Sequence, residues 1–92
     1  MPSTGARADE VRTEFRAAIG RPGHAVDNSR EAMALLESAL SEGVLMRTPE
    51  IDQTLADLRI ALEQDDGQKL GGKSAEAARF ITRRLEQLID DA

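Results

Sequence analysis

Thr48-Pro49-Glu50-Ile51-Asp52-Gln53-Thr54-Leu55-Ala56-Asp57-Leu58-Arg59-Ile60-Ala61-Leu62 opens in the manner of a helix and keeps helical period to its end. Thr48 can accept a hydrogen bond from an orphan backbone N–H of the first turn, Pro49 has no N–H to leave unsatisfied, and Glu50 sits near the positive end of the helix dipole. Ile51, Leu55, Leu58 and Leu62 then recur at spacings of four, three and four, the seam of an antiparallel helix pair. Asp52, Asp57, Arg59 and Glu63 occupy the other faces, and Ile60 lies almost opposite the seam. A helix with one apolar seam must bury it against further helices, so the rest of the chain is read for partners.

Both flanks supply them. On the amino-terminal side, Ala32, Leu35 and Ala39 run beside Met33, Leu36 and Leu40, a wide apolar arc predicting a helix from about 28 to 42. Asn28 and Glu31 resemble a capping box at its start, and Gly43 is a natural stop. Val44-Leu45-Met46 must tuck under neighbouring helices to stay out of water. Further upstream, Ala8, Val11, Phe15, Ala18 and Ile19 predict a short helix closed by Gly20, preceded by a loose tail over 1–7 and followed by a loop or hinge over 20–28. On the carboxyl-terminal side a glycine-rich loop spans 64–73. Ser74 then caps a last helix whose stripe is Ala78, Ile81, Leu85 and Leu88, widened by Ile89. Asp90 and Asp91 oppose the negative helix end, so that last turn is expected to fray. No stretch alternates with the period of a strand. The expectation is one all-α domain over 1–92: a small antiparallel bundle of three core helices, with a short amino-terminal helix that packs on it or exchanges between protomers across the hinge.

Composition narrows the function classes. Seventeen acidic against twelve basic residues leave a net charge of -5, which repels phosphate backbones and disfavours nucleic acid. With no cysteine there is no disulfide, thiolate nucleophile or Cys-based metal site, which predicts a cytoplasmic address. No segment approaches the roughly 20 apolar residues of a membrane span.

Gly67-Gln68-Lys69-Leu70-Gly71-Gly72-Lys73-Ser74 satisfies the phosphate-loop pattern, two glycines with four residues between them and then Lys-Ser. A phosphate loop needs a strand in front to aim its N–H groups, whereas a helix ending in Gln64-Asp65-Asp66 is predicted here. Only 18 residues follow, too few for the rest of a nucleotidase. A glycine-rich connection is the simpler reading, and nucleotide binding is the alternative. His24, the single histidine, stands in a Gly-Pro loop without an adjacent ligand and is expected to be solvated. The carboxylate pairs Asp9-Glu10, Asp65-Asp66 and Asp90-Asp91 lack the spacing of a calcium loop. No cofactor or metal is expected.

Arg79, Arg83 and Arg84 form a basic cluster suited to a phosphate or an acidic partner, and the plainer expectation is that they pair with acidic faces of neighbouring helices. Leu35, Ile60 and Phe80 lie off the main stripes. Three such apolar residues on a modest core predict a contact surface for another protein or a second copy.

Leu35-Leu36-Glu37-Ser38-Ala39-Leu40, Glu50-Ile51-Asp52, Leu55 through Leu62, Asp65-Asp66, and Phe80 with Arg83-Arg84 together resemble the C-terminal helical lid of Hsp70-type chaperones, over residues 29–92. The ATPase domain and peptide-binding sandwich of that family have no counterpart, and Gly71-Gly72 departs from its pattern. The resemblance implies a detached lid-like bundle that binds or regulates without hydrolysing ATP. The functional expectation is therefore a non-catalytic interaction or adaptor domain, self-associating as a homodimer or other homo-oligomer through Leu35, Ile60 and Phe80 with Arg79, Arg83 and Arg84. The alternatives are a nucleotide-binding protein using Gly67–Ser74 and a nucleic-acid-binding regulator using the Arg79–Arg84 patch.

Overall fold

A computed structural model describes residues 4–64 and 73–91. They form four helices, α1 (Thr4–Ile19), α2 (Ala25–Ser41), α3 (Pro49–Glu63) and α4 (Lys73–Asp91), with no strand among the described residues. The chain folds as an all-α helical bundle.

α3 follows the sequence expectation residue for residue. Thr48 is the N-cap, its hydroxyl accepting from the Ile51 N–H at 3.1 Å, and Pro49 stands in the first turn. Ile51, Leu55, Leu58 and Leu62 are all buried.

Interhelical contacts fix the directions of the helices. Arg30 donates to the Leu62 carbonyl and Arg59 pairs with Glu37, so α2 runs antiparallel to α3. Arg12 reaches the Ile89 carbonyl while Arg16 reaches Glu86 and Asp90, so α1 runs antiparallel to α4. The topology is up-down-up-down. α2 and α4 also pack on each other across the bundle, which leaves α1 and α3 as the separated diagonal. Small buried residues permit that approach: Ala25, Ser29, Ala32 and Ala39 on α2, and Ala75, Ala78 and Thr82 on α4.

The amino-terminal helix is longer than its apolar residues suggest, beginning at Thr4 within the segment expected to be a tail. It packs on α2 and α4 within the chain, and its Ala8, Val11, Phe15 and Ala18 join the same buried cluster as the seam of α3. α1 is thus a fourth contributor to the core. It ends without a left-handed glycine, since Gly20 still donates helically to the Arg16 carbonyl at 3.0 Å. Pro22 and the positive-φ Gly23 then turn the chain.

α2 starts three residues before Asn28, because Ala25 and Val26 are buried and draw the helix back to them. Its N-cap is His24, which makes no side-chain cap bond. Asn28 and Glu31 therefore do not form a capping box. Both instead hold the preceding turn: Asn28 Nδ2 donates to the Arg21 carbonyl at 2.8 Å, and Glu31 accepts from the Arg21 guanidinium at 2.6 Å.

At the other end of α2, Gly43 has φ of 77°. Its N–H donates to the Leu40 carbonyl and that of Val44 to the Ala39 carbonyl, the two bonds of a Schellman stop. Of the apolar connection that follows, Leu45 is buried, Val44 packs half-buried on the core, and Met46 stays exposed.

On α4 the buried line is Ala75, Ala78, Thr82, Leu85 and Ile89, with Ile81 and Leu88 at its edge. The stripe is rotated from the one predicted because α4 touches all three other helices. The Thr82 hydroxyl is satisfied within the helix, donating to the Ala78 and Arg79 carbonyls at 2.8 and 3.1 Å. The helix begins at Lys73, so Ser74 lies inside it rather than capping it.

α4 stays helical through Asp91. α1 supplies the cations that the helix lacks at its own end, Arg12 on the Ile89 carbonyl at 2.8 Å and Arg16 on Asp90 at 3.0 Å.

Candidate functional site

The arginines of α4 are the first candidates, and the structure separates them. Arg79 and Arg83, one turn apart, turn toward α1 and α2, whereas Phe80 and Arg84, also one turn apart, stand on the outer face of α4. None of Arg79, Arg83 and Arg84 makes an ion pair among the described residues. The expected pairing with acidic faces of neighbouring helices is absent because those carboxylates have other partners. Glu86 and Asp90 are held by Arg16, Glu37 by Arg59, and Glu31 by Arg21. Arg83 and Glu86 are spaced to pair on one helix face, and Arg16 takes that partner across the bundle instead. The hydrogen bond that Arg16 donates to Glu86, with Asp90 beside it, raises the Arg16 pKa above its ordinary value.

Arg79 and Arg83 line a cleft of about 550 Å³ between the 20–23 turn, the start of α2 and the middle of α4. Arg16 and Arg21 bring two more guanidinium groups to its wall, each already engaged with a carboxylate. Glu86 is the acidic side chain on the lining. Ile19, Pro22 and Ala25 provide an apolar side, and Asn28, Ser29 and Thr82 a polar floor. Ser29 is only 3% exposed, and its hydroxyl makes no hydrogen bond among the described residues.

The three off-stripe apolar residues diverge. Phe80 is 76% exposed and Ile60 53%. Leu35 is half-buried, packed against the core beside a shallow groove lined by Glu14, Ala17, Ala18, Arg21 and Glu31. Phe80 and Ile60 thus present apolar surface to solvent, while Leu35 is half-buried against the core.

His24 is held more closely than a solvated loop residue. Its Nδ1 is buried without a hydrogen-bond partner, 3.8 Å from the Asp27 carboxylate. Asp9 and Glu10 pair with Arg12 and Arg7, and no group of three or more His, Asp or Glu among the described residues could hold a metal ion. The Gly67–Ser74 motif and the Asp65-Asp66 pair fall mostly or wholly outside the described residues. The described element ahead of the motif is the helix α3. No described helix is long and apolar enough to cross a membrane.

The cleft was not readable from the sequence as a site. Its walls come from 16–29 and 79–86, two segments joined only by the fold. The one available signal was the i, i+4 spacing of Arg79 and Arg83. No protein-family model, curated protein or solved structure matches this chain.

Proposed function

We propose that this chain is a non-catalytic helical interaction domain, an adaptor that docks on protein surfaces through the outer face of α4 and self-associates. The observation that carries the reading is Phe80, an aromatic side chain 76% exposed, with Arg84 one turn away and without an ion pair among the described residues. Exposed apolar side chains scattered singly are ordinary on soluble proteins, so Phe80 gains its weight from this company. Aromatic and arginine side chains are enriched at the cores of protein interfaces, where the ring fills a pocket and the guanidinium finds a carboxylate. Ile60 adds exposed apolar surface on α3, and Leu35 contributes less because it is half-buried against the core. The chain's own excess of acid, a net charge of -5, lets a second copy offer the carboxylates that Arg84 lacks. A homodimer is the assembly favoured. The resemblance of 29–92 to a chaperone lid implies a role of the same kind, and a cysteine-free chain suits the reducing cytoplasm.

Sedimentation equilibrium from micromolar to millimolar protein tests this reading. The wild type is expected to form a dimer that Phe80→Asp and Ile60→Asp each weaken. A strict monomer throughout removes the self-association. If lysate proteins captured by the wild type are also captured unchanged by a Phe80→Asp/Arg84→Glu variant, the α4 face is not the docking surface.

A further inference from the structure

The cleft at the start of α2 is independent of the Phe80 face, and we propose that it binds a small oxyanionic molecule, a phosphomonoester whose phosphate sits between Arg79 and Arg83. Three observations converge there. Arg79 and Arg83 are one turn apart on α4, line the same cleft, and carry no counter-ion among the described residues. Two guanidinium groups one turn apart on the same cleft wall repel each other until an anion joins them, and phosphate oxygens match their fork geometry. The second observation is Ser29, a residue only 3% exposed that borders the cleft and whose hydroxyl makes no hydrogen bond among the described residues. A hydroxyl at the cleft wall with no protein partner is available to donate to a phosphate oxygen. The third is the first turn of α2, whose Ala25 lines the cleft and whose N-cap His24 offers no side-chain acceptor. The positive end of that helix adds to the field.

Glu86 also faces the cleft, and its charge is countered by Arg16 at 3.2 Å. Glu31 is likewise tied to Arg21, so neither carboxylate is left to neutralise Arg79 or Arg83. The surplus of positive charge therefore belongs to the two α4 residues.

Size decides between a bare anion and a larger molecule. A volume near 550 Å³ falls in the range of small-molecule pockets and far exceeds one phosphate group. Ile19, Pro22 and Ala25 provide an apolar wall for a carbon body of modest size. A pocket bounded by the 20–23 turn on one side and α4 on the other favours a compact molecule over an extended phosphopeptide.

The test is an amide and arginine Nε–H NMR titration of the full chain with inorganic phosphate, phenyl phosphate and a phosphoserine peptide, with sodium chloride matched for ionic strength. Saturable shifts at Ala25, Ser29 and the Nε–H groups of Arg79 and Arg83 are expected with both phosphates and not with chloride, and phenyl phosphate should bind more tightly. Each of Arg79→Gln and Arg83→Gln is expected to weaken binding about tenfold, the size of one lost charge-assisted hydrogen bond. Both side chains are exposed and outside the core, so these variants keep the fold, which their amide spectra will verify. Shifts that fail to saturate, that chloride reproduces, or that survive the double substitution overturn the site. Binding of the peptide alone overturns the small-molecule assignment.

Discussion

The two phenylalanines of this chain offer a matched experiment, one ring wholly inside and one almost wholly outside. Phe15 is 0% exposed within the cluster that joins α1 to the seam of α3, and Phe80 is 76% exposed on α4. Burying an aromatic side chain removes about 150–250 Å² from water, worth about 4–6 kcal/mol at about 25 cal/mol per Å². That sum is an upper bound, because the denatured chain already shields some of the ring. Truncation to alanine keeps Cβ but leaves a cavity, so Phe15→Ala is expected to cost about 3–5 kcal/mol. A chain of this length has roughly 5–14 kcal/mol to lose. At about 4–8 °C per kcal/mol, the thermal midpoint should fall by about 12 °C or more. Phe80→Ala should change stability by less than about 0.5 kcal/mol. Urea unfolding followed by circular dichroism measures both, and an unchanged denaturant slope would show that the two states compared are the same. If Phe15→Ala unfolds near the wild-type midpoint, α1 is not part of the cooperative core. If Phe80→Ala costs as much as Phe15→Ala at concentrations where the chain is monomeric, its ring is covered within the chain and the reading of the α4 face is wrong.

Two further substitutions probe the helix ends. At Gly43 an added Cβ would meet nothing within 4 Å, so Gly43→Ala should cost only the left-handed backbone strain, about 1–2 kcal/mol by thermal unfolding, and Gly43→Asn should recover part of it. A neutral alanine would show that the Schellman stop does not set the length of α2. Arg12→Ala removes the donor to the Ile89 carbonyl and should speed amide exchange over 88–91 while leaving the middle of α4 protected. Unchanged exchange there would mean that something other than α1 closes that helix.

Legibility in the sequence followed the locality of the causes. α3 was readable to the residue, since its cap, its proline and its seam all lie within 48–62. The start of α2 was misplaced because Asn28 and Glu31 carry the local signature of a cap, while the burial of Ala25 and Val26 comes from other helices. α4 was found as a helix but its inner face was rotated. Apolar strength points to Ile81 and Leu88, whereas close packing against three neighbours selects Ala75, Ala78 and Thr82. Phe80 and Ile60 were correctly set apart from the seams by their angular positions, and Leu35, judged the same way, turned out half-buried beside the carboxyl-terminal half of α1. The cleft shows the limit most plainly. Its charge depends on which carboxylates are already occupied, and that is decided by contacts between residues about seventy positions apart.

The bridge from Arg16 to Glu86 and Asp90 has a further consequence. By engaging Glu86, which stands one turn from Arg83, and Asp90 a turn beyond it, α1 acts as a decoy for the cations of α4, so reactivity on one helix is set by a neighbour that need never touch the incoming molecule. Replacing Arg16 would hand Glu86 back to Arg83 and quench the cleft from within. The bundle's assembly and its readiness for an anion are thus one event, and a chain in which α1 has come away should lose both together.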